Sequence, residues 1–224
     1  MPGYCVFSYS LPDYMPVVRL DKVAAGHWLC LWHITEDEAN LLQQVHDHGI
    51  STHQINGRHP QKRIESLAGR LAIRALTTAA EQPASDIVKD KHNKPHLANG
   101  NGHISMSHSW PYAIAALHLQ HPAGIDIEVV QERMVRIMPR LLSAKEQQHA
   151  QADAELHCLY WAAKEAVYKW YGRRNLDFKQ NIEVAPFEKD TTGYIDAALV
   201  VDGHRHPLQL AFEKMNDYYI CYTT

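Results

Sequence analysis

The sequence predicts an α+β chain, with helices and antiparallel strands segregated along it. Three observations predict this. A dense apolar run, His27 to Ile34, has strand length and is bounded by Gly26. Two long stretches, about Gln61–Ala80 and Ala152–Tyr171, carry apolar residues on helical arcs. Four alternating segments, split by turn residues, close the chain.

Met1 to Ile34 is mostly strand-like. Thr35 then opens a helix, because Thr35-x-x-Glu38 has the form of a capping box. Leu41, Leu42 and Val45 give that helix an apolar stripe, and Gly49 stops it. Ile50 to His59 is polar and reads as a loop. In the next helix Ile64, Leu67, Ala68, Leu71 and Ala75 share one arc. Arg63, Arg70 and Arg74 form a narrow stripe beside it. That stripe is either a solvated basic edge or an anion site, since arginine offers phosphate a bidentate fork.

Gln82 to Ser85 breaks the helix, and Lys89 to Gly102 reads as a loop holding Lys94-Pro95. Ile104 to Ser109 is extended and ends in Ser107-His108-Ser109. Hydroxyls, an imidazole and backbone N–H groups suit a phosphate. The same triplet also suits an ordinary turn with capping serines, and no Gly-x-Ser-x-Gly elbow marks a serine nucleophile. An apolar strand follows from Ala113 to Leu119.

Gly124-Ile125-Asp126-Ile127-Glu128 reads as a short strand. Its side chains alternate, so Asp126 and Glu128 share one face and the isoleucines the other. Either this is a solvated acidic face, or the two carboxylates hold a hard cation such as Mg²⁺. Gln131 to Leu142 mixes arginines with Met134, Val135, Ile137, Met138, Leu141 and Leu142, as core or as an adaptable contact surface. Ser143-x-x-Glu146 is a second capping box.

Leu156, Leu159, Ala163, Ala166, Val167 and Trp170 form the apolar face of the last long helix, and Gly172 ends it. Trp161, Glu165 and Lys169 repeat every four residues on another side. Glu165 and Lys169 have the order that favours an ion pair one turn apart. Ile182–Phe187, Tyr194–Val201, Pro207–Phe212 and Asp217–Tyr222 then alternate as an antiparallel meander.

Composition excludes several classes. The net charge of −3 over 224 residues supplies no basic field for nucleic acid. No apolar run approaches the roughly 20 residues of a membrane span, and no signal-peptide pattern opens the chain. Cys5, Cys30, Cys158 and Cys221 lie far apart, as reduced buried thiols of a cytoplasmic protein. None of the close histidine pairs, His46/His48, His118/His121 and His204/His206, is joined to a cysteine or acidic partner at the spacing of a zinc site.

The motifs gain specificity from their order. His108, then Gly-Ile-Asp-Ile-Glu about eighteen residues later, then Trp161-Ala-Ala-Lys-Glu165-Ala-Val-Tyr-Lys169 resembles the 4′-phosphopantetheinyl transferase superfamily. The chain looks most like its longer, pseudodimeric type, which activates surfactin, enterobactin and similar synthetases. Arg63-Ile-Glu-Ser-Leu-Ala-Gly-Arg70 also resembles the family's N-terminal helix. Asn93 departs from the glycine that usually precedes Lys94-Pro95, and Ile104-Ser105-Met106 departs from Phe-Asn-Ile/Leu.

The resemblance implies two similar α+β halves, 1–122 and 123–224, each an antiparallel sheet packed against helices, with the active site in the cleft between them. It implies a monomer that transfers 4′-phosphopantetheine from coenzyme A to a serine of an apo acyl or peptidyl carrier protein. Adenosine 3′,5′-bisphosphate is the other product. Asp126, Glu128 and Glu165 are expected to hold Mg²⁺. Glu165 is also the expected base, and Lys169 the group that steadies the pyrophosphate, with Lys164 a weaker candidate. His108, Arg63 and Arg70 are expected on the phosphates, and Lys94, Pro95 and Ser107 along the adenosine. Met134 to Leu142, with Arg136 and Arg140, is the expected carrier contact. The alternative is a non-catalytic member that binds coenzyme A or a carrier protein.

Overall fold

Two antiparallel sheets, each crossed by one long helix, organise the chain in a computed structural model that describes residues 16–52, 55 and 59–224. They fall in two compact units, one ending at Ala123 and the other spanning Gly124–Thr224. The N-terminal segment up to Met15, with Cys5, and several residues of the polar loop before Pro60 lie outside the described residues.

The first unit opens with a hairpin of β1 (Val17–Ala24) and β2 (His27–His33). Helices α1 (Glu38–Asp47) and α2 (Pro60–Ala79) follow. Two short strands, β3 (Ile87–Lys89) and β4 (Pro95–Leu97), pair with each other. β5 (His103–Ser109) and β6 (Tyr112–His118) complete a four-stranded sheet of order β1-β2-β6-β5. Alternation puts Trp28, Cys30 and Trp32 of β2, Ala113, Ala115 and Leu117 of β6 and Ile104 of β5 in one core with Leu67, Leu71 and Leu76 of α2. Each such leucine contributes about 1.5–3 kcal/mol by leaving water. Pro60 starts α2 at the position where a missing N–H costs nothing.

Two expectations fail here. The cap of α1 is Asp37, whose carboxylate accepts from Asn40 N–H at 2.8 Å, so the Thr35 box does not form. A carboxylate two residues further on is simply the better cap, because it meets the N-terminal dipole with charge. The stretch from Lys89 to Gly102 is not all loop, since Lys89 ends β3 and β4 lies inside it. Asp90 organises this hairpin by accepting from the N–H groups of His92 and Lys94 at 2.8 and 2.9 Å. Asn93 takes the left-handed conformation, φ 68°, that its turn requires. Asparagine tolerates that region, which accounts for its standing where a glycine is usual.

The second unit begins with β7 (Ile125–Val129). A helical segment follows: α3 (Met134–Ile137), a 3₁₀ turn (Met138–Arg140) and α4 (Ala144–Ala150). The long α5 (Ala154–Tyr171) and short α6 (Phe178–Asn181) come next. β8 (Ile182–Val184), β9 (Thr192–Val201), β10 (His204–Met215) and β11 (Tyr218–Thr223) form the meander, and β7 pairs with β11 to give the order β7-β11-β10-β9-β8. Asp202 and Gly203 both take positive φ, 52° and 74°, as a tight hairpin turn demands. The Ser143–Glu146 capping box is formed in both directions. Met134, Met138 and Leu142 enter the core under α5, whereas Arg133, Arg136 and Arg140 are exposed.

Cys30, Cys158 and Cys221 are buried free thiols. Among the described residues no helix is long and apolar enough to cross a membrane.

Candidate active site

Each unit presents one group of polar side chains on its long helix. In the first, α2, the β3–β4 hairpin and β5 enclose a cavity of about 190 Å³. Arg70 and Glu65 reach it from α2, Lys89 and Pro95 from the hairpin, and Ser107 and His108 from β5. Gly69 lies in the same wall, where a Cβ would already touch Met106 Sδ at 3.4 Å. Arg70 is nearly fully buried and donates to Ile87 O at 3.4 Å, so the arginine stripe is not a solvated edge at this point. Ser107 and His108 stand opposite Ile114 and Ala113 of β6, and with Ser109 they form the end of β5, as the sequence predicts.

Four of the expected nucleotide-side residues, Arg70, Pro95, Ser107 and His108, thus share one cavity. Arg63 and Lys94 are not in its wall. Arg63 instead grips Glu38 of α1 with both edges of its fork, at 2.6 and 2.8 Å. Burial pushes the Lys94 ammonium down to about 8, against the opposing charge of Asp90.

Glu65 and Lys89 are additions that the sequence did not single out. Glu65 stands one turn before Gly69 and Arg70, which is the signal that could have exposed it. It is only 2% exposed. Its Oε2 lies 2.8 Å from Lys62 Nζ and 3.1 Å from His108 Nδ1, and its Oε1 accepts from Gln61 Nε2 at 3.2 Å.

In the second unit the strand alternation is as expected. Asp126 and Glu128 stand opposite Cys221 and Tyr219 of β11, on the face packed by α5, while Ile125 and Ile127 face away. Gly124 makes this possible. A Cβ there would lie 2.0 Å from Ala166 O and 2.8 Å from Trp170 N, so β7 enters against the bare backbone of α5. Only glycine permits that approach.

Helix α5 then turns Trp161, Glu165 and Lys169 toward the strand carboxylates. Lys169 Nζ lies 2.5 Å from Asp126 Oδ1, and the Trp161 indole N–H donates to Glu128 Oε1 at 3.0 Å. Burial, and then the charge of Asp126, raise Glu128 to about 7, with Lys169 and the Trp161 bond opposing. The same two causes raise Glu165 to about 7, with Lys169 opposing.

Three carboxylates therefore feel one another in a poorly solvated place, and an ammonium offsets part of their charge. Hard oxygen donors in excess of positive charge fit a divalent cation such as Mg²⁺. Among the described residues no three His, Cys, Asp or Glu side chains are already gathered as a ligand cluster. Lys164, adjacent in sequence, is spent elsewhere. It is fully buried, donates to Phe178 O and Ile182 O at 2.7 and 2.5 Å, and pairs with Glu146 Oε1 at 3.0 Å. Those contacts use its three protons.

No curated protein matches the chain. Residues 122–223, which hold β7, α5 and the whole carboxylate group, match the family model of the 4′-phosphopantetheinyl transferase superfamily.

Proposed function

We propose that the protein transfers 4′-phosphopantetheine from coenzyme A to a serine of an apo carrier protein, as a Mg²⁺-dependent, monomeric holo-carrier-protein synthase. The observation that carries this reading is the group formed by Asp126, Glu128, Glu165 and Lys169, with two acids near 7 and an ammonium on the third.

In this reading the serine Oγ attacks the phosphorus on the pantetheine side of the coenzyme A diphosphate. The bond to the bridging oxygen breaks, and adenosine 3′,5′-bisphosphate leaves. Glu165 accepts the serine proton, a task suited to an acid raised toward neutrality. Lys169 donates to the diphosphate oxygens as charge builds on the leaving side. Asp126, Glu128 and Glu165 would hold Mg²⁺, which when bound supplies neutralisation of the diphosphate charge.

Arg70 and His108 take the phosphates of the nucleotide end, and Pro95 and Ser107 border the adenosine. Lys94 adds charge from outside the cavity wall. Arg63 joins them only by exchanging Glu38 for a phosphate. With Met134, Met138 and Leu142 in the core, Arg136 and Arg140 are the part of their segment left to meet an acidic carrier.

The test is intact-mass spectrometry of an apo carrier protein after incubation with the protein, coenzyme A and Mg²⁺. A gain of one phosphopantetheine, lost with Asp126→Ala and with chelator, is the expected result. Coenzyme A binding without mass gain on a panel of fatty-acid, polyketide and peptide carriers would point to the non-catalytic alternative.

A further inference from the structure

The carboxylate group of the second unit is supported from behind by an aromatic side chain that the transfer chemistry does not use. Trp161 donates its indole N–H to Glu128 Oε1 at 3.0 Å. That bond requires the indole plane at one angle. The torsion that sets the plane is soft, and Trp161 is only partly buried, so the α5 backbone alone does not fix it. Phe178 does. Its ring stacks on the indole, with centroids 5.3 Å apart and planes 28° from parallel.

Phe178 is itself firmly seated. Tyr168, two turns beyond Trp161 on α5, meets the same ring with centroids 5.3 Å apart. The Phe178 carbonyl accepts from the buried Lys164 ammonium at 2.7 Å. Asp177 caps α6 by accepting from the N–H groups of Lys179 and Gln180, at 2.8 and 3.0 Å, and Asn181 Nδ2 donates to Val200 O of β9 at 2.8 Å. The short helix is thus tied both to α5 and to the sheet, and loss of Lys164 alone leaves the cap and Asn181 in place. An aromatic stack steers its neighbour more than an aliphatic side chain does, because it prefers one ring geometry as well as contact area.

We infer that Phe178 is a positioning residue of the carboxylate group: by stacking on Trp161 it aims the indole N–H at Glu128, and so presets that carboxylate for a divalent cation. The inference rests on the Mg²⁺ reading above, and the experiment separates the two. F178L keeps apolar bulk and removes the stack, whereas F178Y keeps the ring. The metal-free protein is read first, by the rate at which its tryptophan indole N–H groups exchange with water. The chain has five tryptophans, and the Trp161 signal is identified by its absence in W161F. Exchange requires the bond to Glu128 to open. It should quicken about fivefold in F178L, the scale of a lost aromatic stack, and stay within about twofold of wild type in F178Y.

Phosphopantetheine transfer is then followed by intact mass over a Mg²⁺ series. F178L should need about fivefold more Mg²⁺ for half its maximal rate, with the rate at saturating Mg²⁺ within about twofold of wild type and F178Y close to wild type in both. On the W161F background F178L should cost less than about twofold more, as for two residues acting through one contact. Unchanged exchange in F178L, an unchanged Mg²⁺ requirement, a loss confined to the saturating rate, or penalties of F178L and W161F that add would each overturn the inference. If F178L does not fold, F178M is read in its place by the same criteria. A wild type without Mg²⁺-dependent transfer overturns the Mg²⁺ reading. The metal-free exchange rates, which do not depend on that reading, then decide whether Phe178 aims Trp161 at Glu128.

Discussion

Lys169 Nζ pairs with Asp126 Oδ1 at 2.5 Å, across 43 residues of chain, although Glu165 stands one turn before it on the same helix. The reason is burial. Asp126 is 2% exposed and has the most to lose without a counter-charge, so the ammonium goes to it. Replacing Lys169 with Met should therefore destabilise the metal-free protein by about 2 kcal/mol, a partly exposed pair being worth less than a fully buried one. Mg²⁺ should return part of that loss, and more for the variant than for wild type. Transfer should fall by about a hundredfold or more even in Mg²⁺, since a group that meets developing charge is gone. Thermal melts with and without Mg²⁺, beside the mass assay, check both.

Gly124→Ala tests how β7 is held. The added methyl meets the carbonyl of Ala166 at 2.0 Å and cannot move aside, because both partners are backbone. The strand must shift away from α5, taking Asp126 with it. A loss of about 3 kcal/mol is expected, at the upper end for an overpacked site. Transfer should be impaired at temperatures where the variant is still folded. Full activity in a folded Gly124→Ala variant would show that the close approach is not needed.

Lys164 should behave unlike Lys169, five residues on. Its ammonium serves Glu146 and two carbonyls in the core, and Glu146 also accepts from Ser143 and Val184 N–H groups. Lys164→Met leaves Glu146 buried without its counter-charge, at a cost of about 3–5 kcal/mol. Activity per folded molecule should stay within a few-fold of wild type. Denaturant melts paired with single-temperature turnover separate a structural lysine from a catalytic one.

What the sequence disclosed depends on how local each cause is. The apolar run of β2, the arcs of α2 and α5 and the meander are legible because their periods extend over many residues. The Ser143–Glu146 box is legible because both halves lie within one turn. The start of α1 is not, since Thr35 and Asp37 offer rival caps two residues apart. Strands β3 and β4 are three residues each, too short for a period, and are set by the Asp90 side chain. The pairing of Asp126 and Glu128 on one face follows from alternation alone. That Lys169 would choose Asp126, or that Glu65 would be buried beside His108, is decided by the packing of helix on sheet, which no window of sequence contains.

Exposure decides the next case. Met134 and Met138 are buried and hold the 134–140 segment to α5, while Arg136 and Arg140 stand in solvent. The double charge reversal Arg136→Glu/Arg140→Glu should leave thermal stability within about 0.5 kcal/mol, as for surface sites. The KM for an acidic carrier should rise by about tenfold, with the difference shrinking as salt is added. Coenzyme A binding should not change. An unchanged carrier KM at low salt would place the carrier elsewhere.

His27 carries a pH dependence remote from the carboxylates. It is 1% exposed, its ring lies 4.9 Å from His118 on β6, and burial followed by the His118 charge lowers it from 6.5 to about 4. The folded protein thus favours the neutral ring. Between pH 6.5 and about 4 the unfolded chain binds more protons at this position, so stability falls as pH falls through that window. The loss approaches about 3 kcal/mol at the lower end, from 1.36 kcal/mol per unit. His118 and His103 are also lowered, first by burial, and add to the trend. His27→Phe keeps a ring and removes the titration. Its urea-melt stability should therefore decline less than that of wild type between pH 7 and pH 5. Parallel declines in the two proteins would assign the acid sensitivity to other groups.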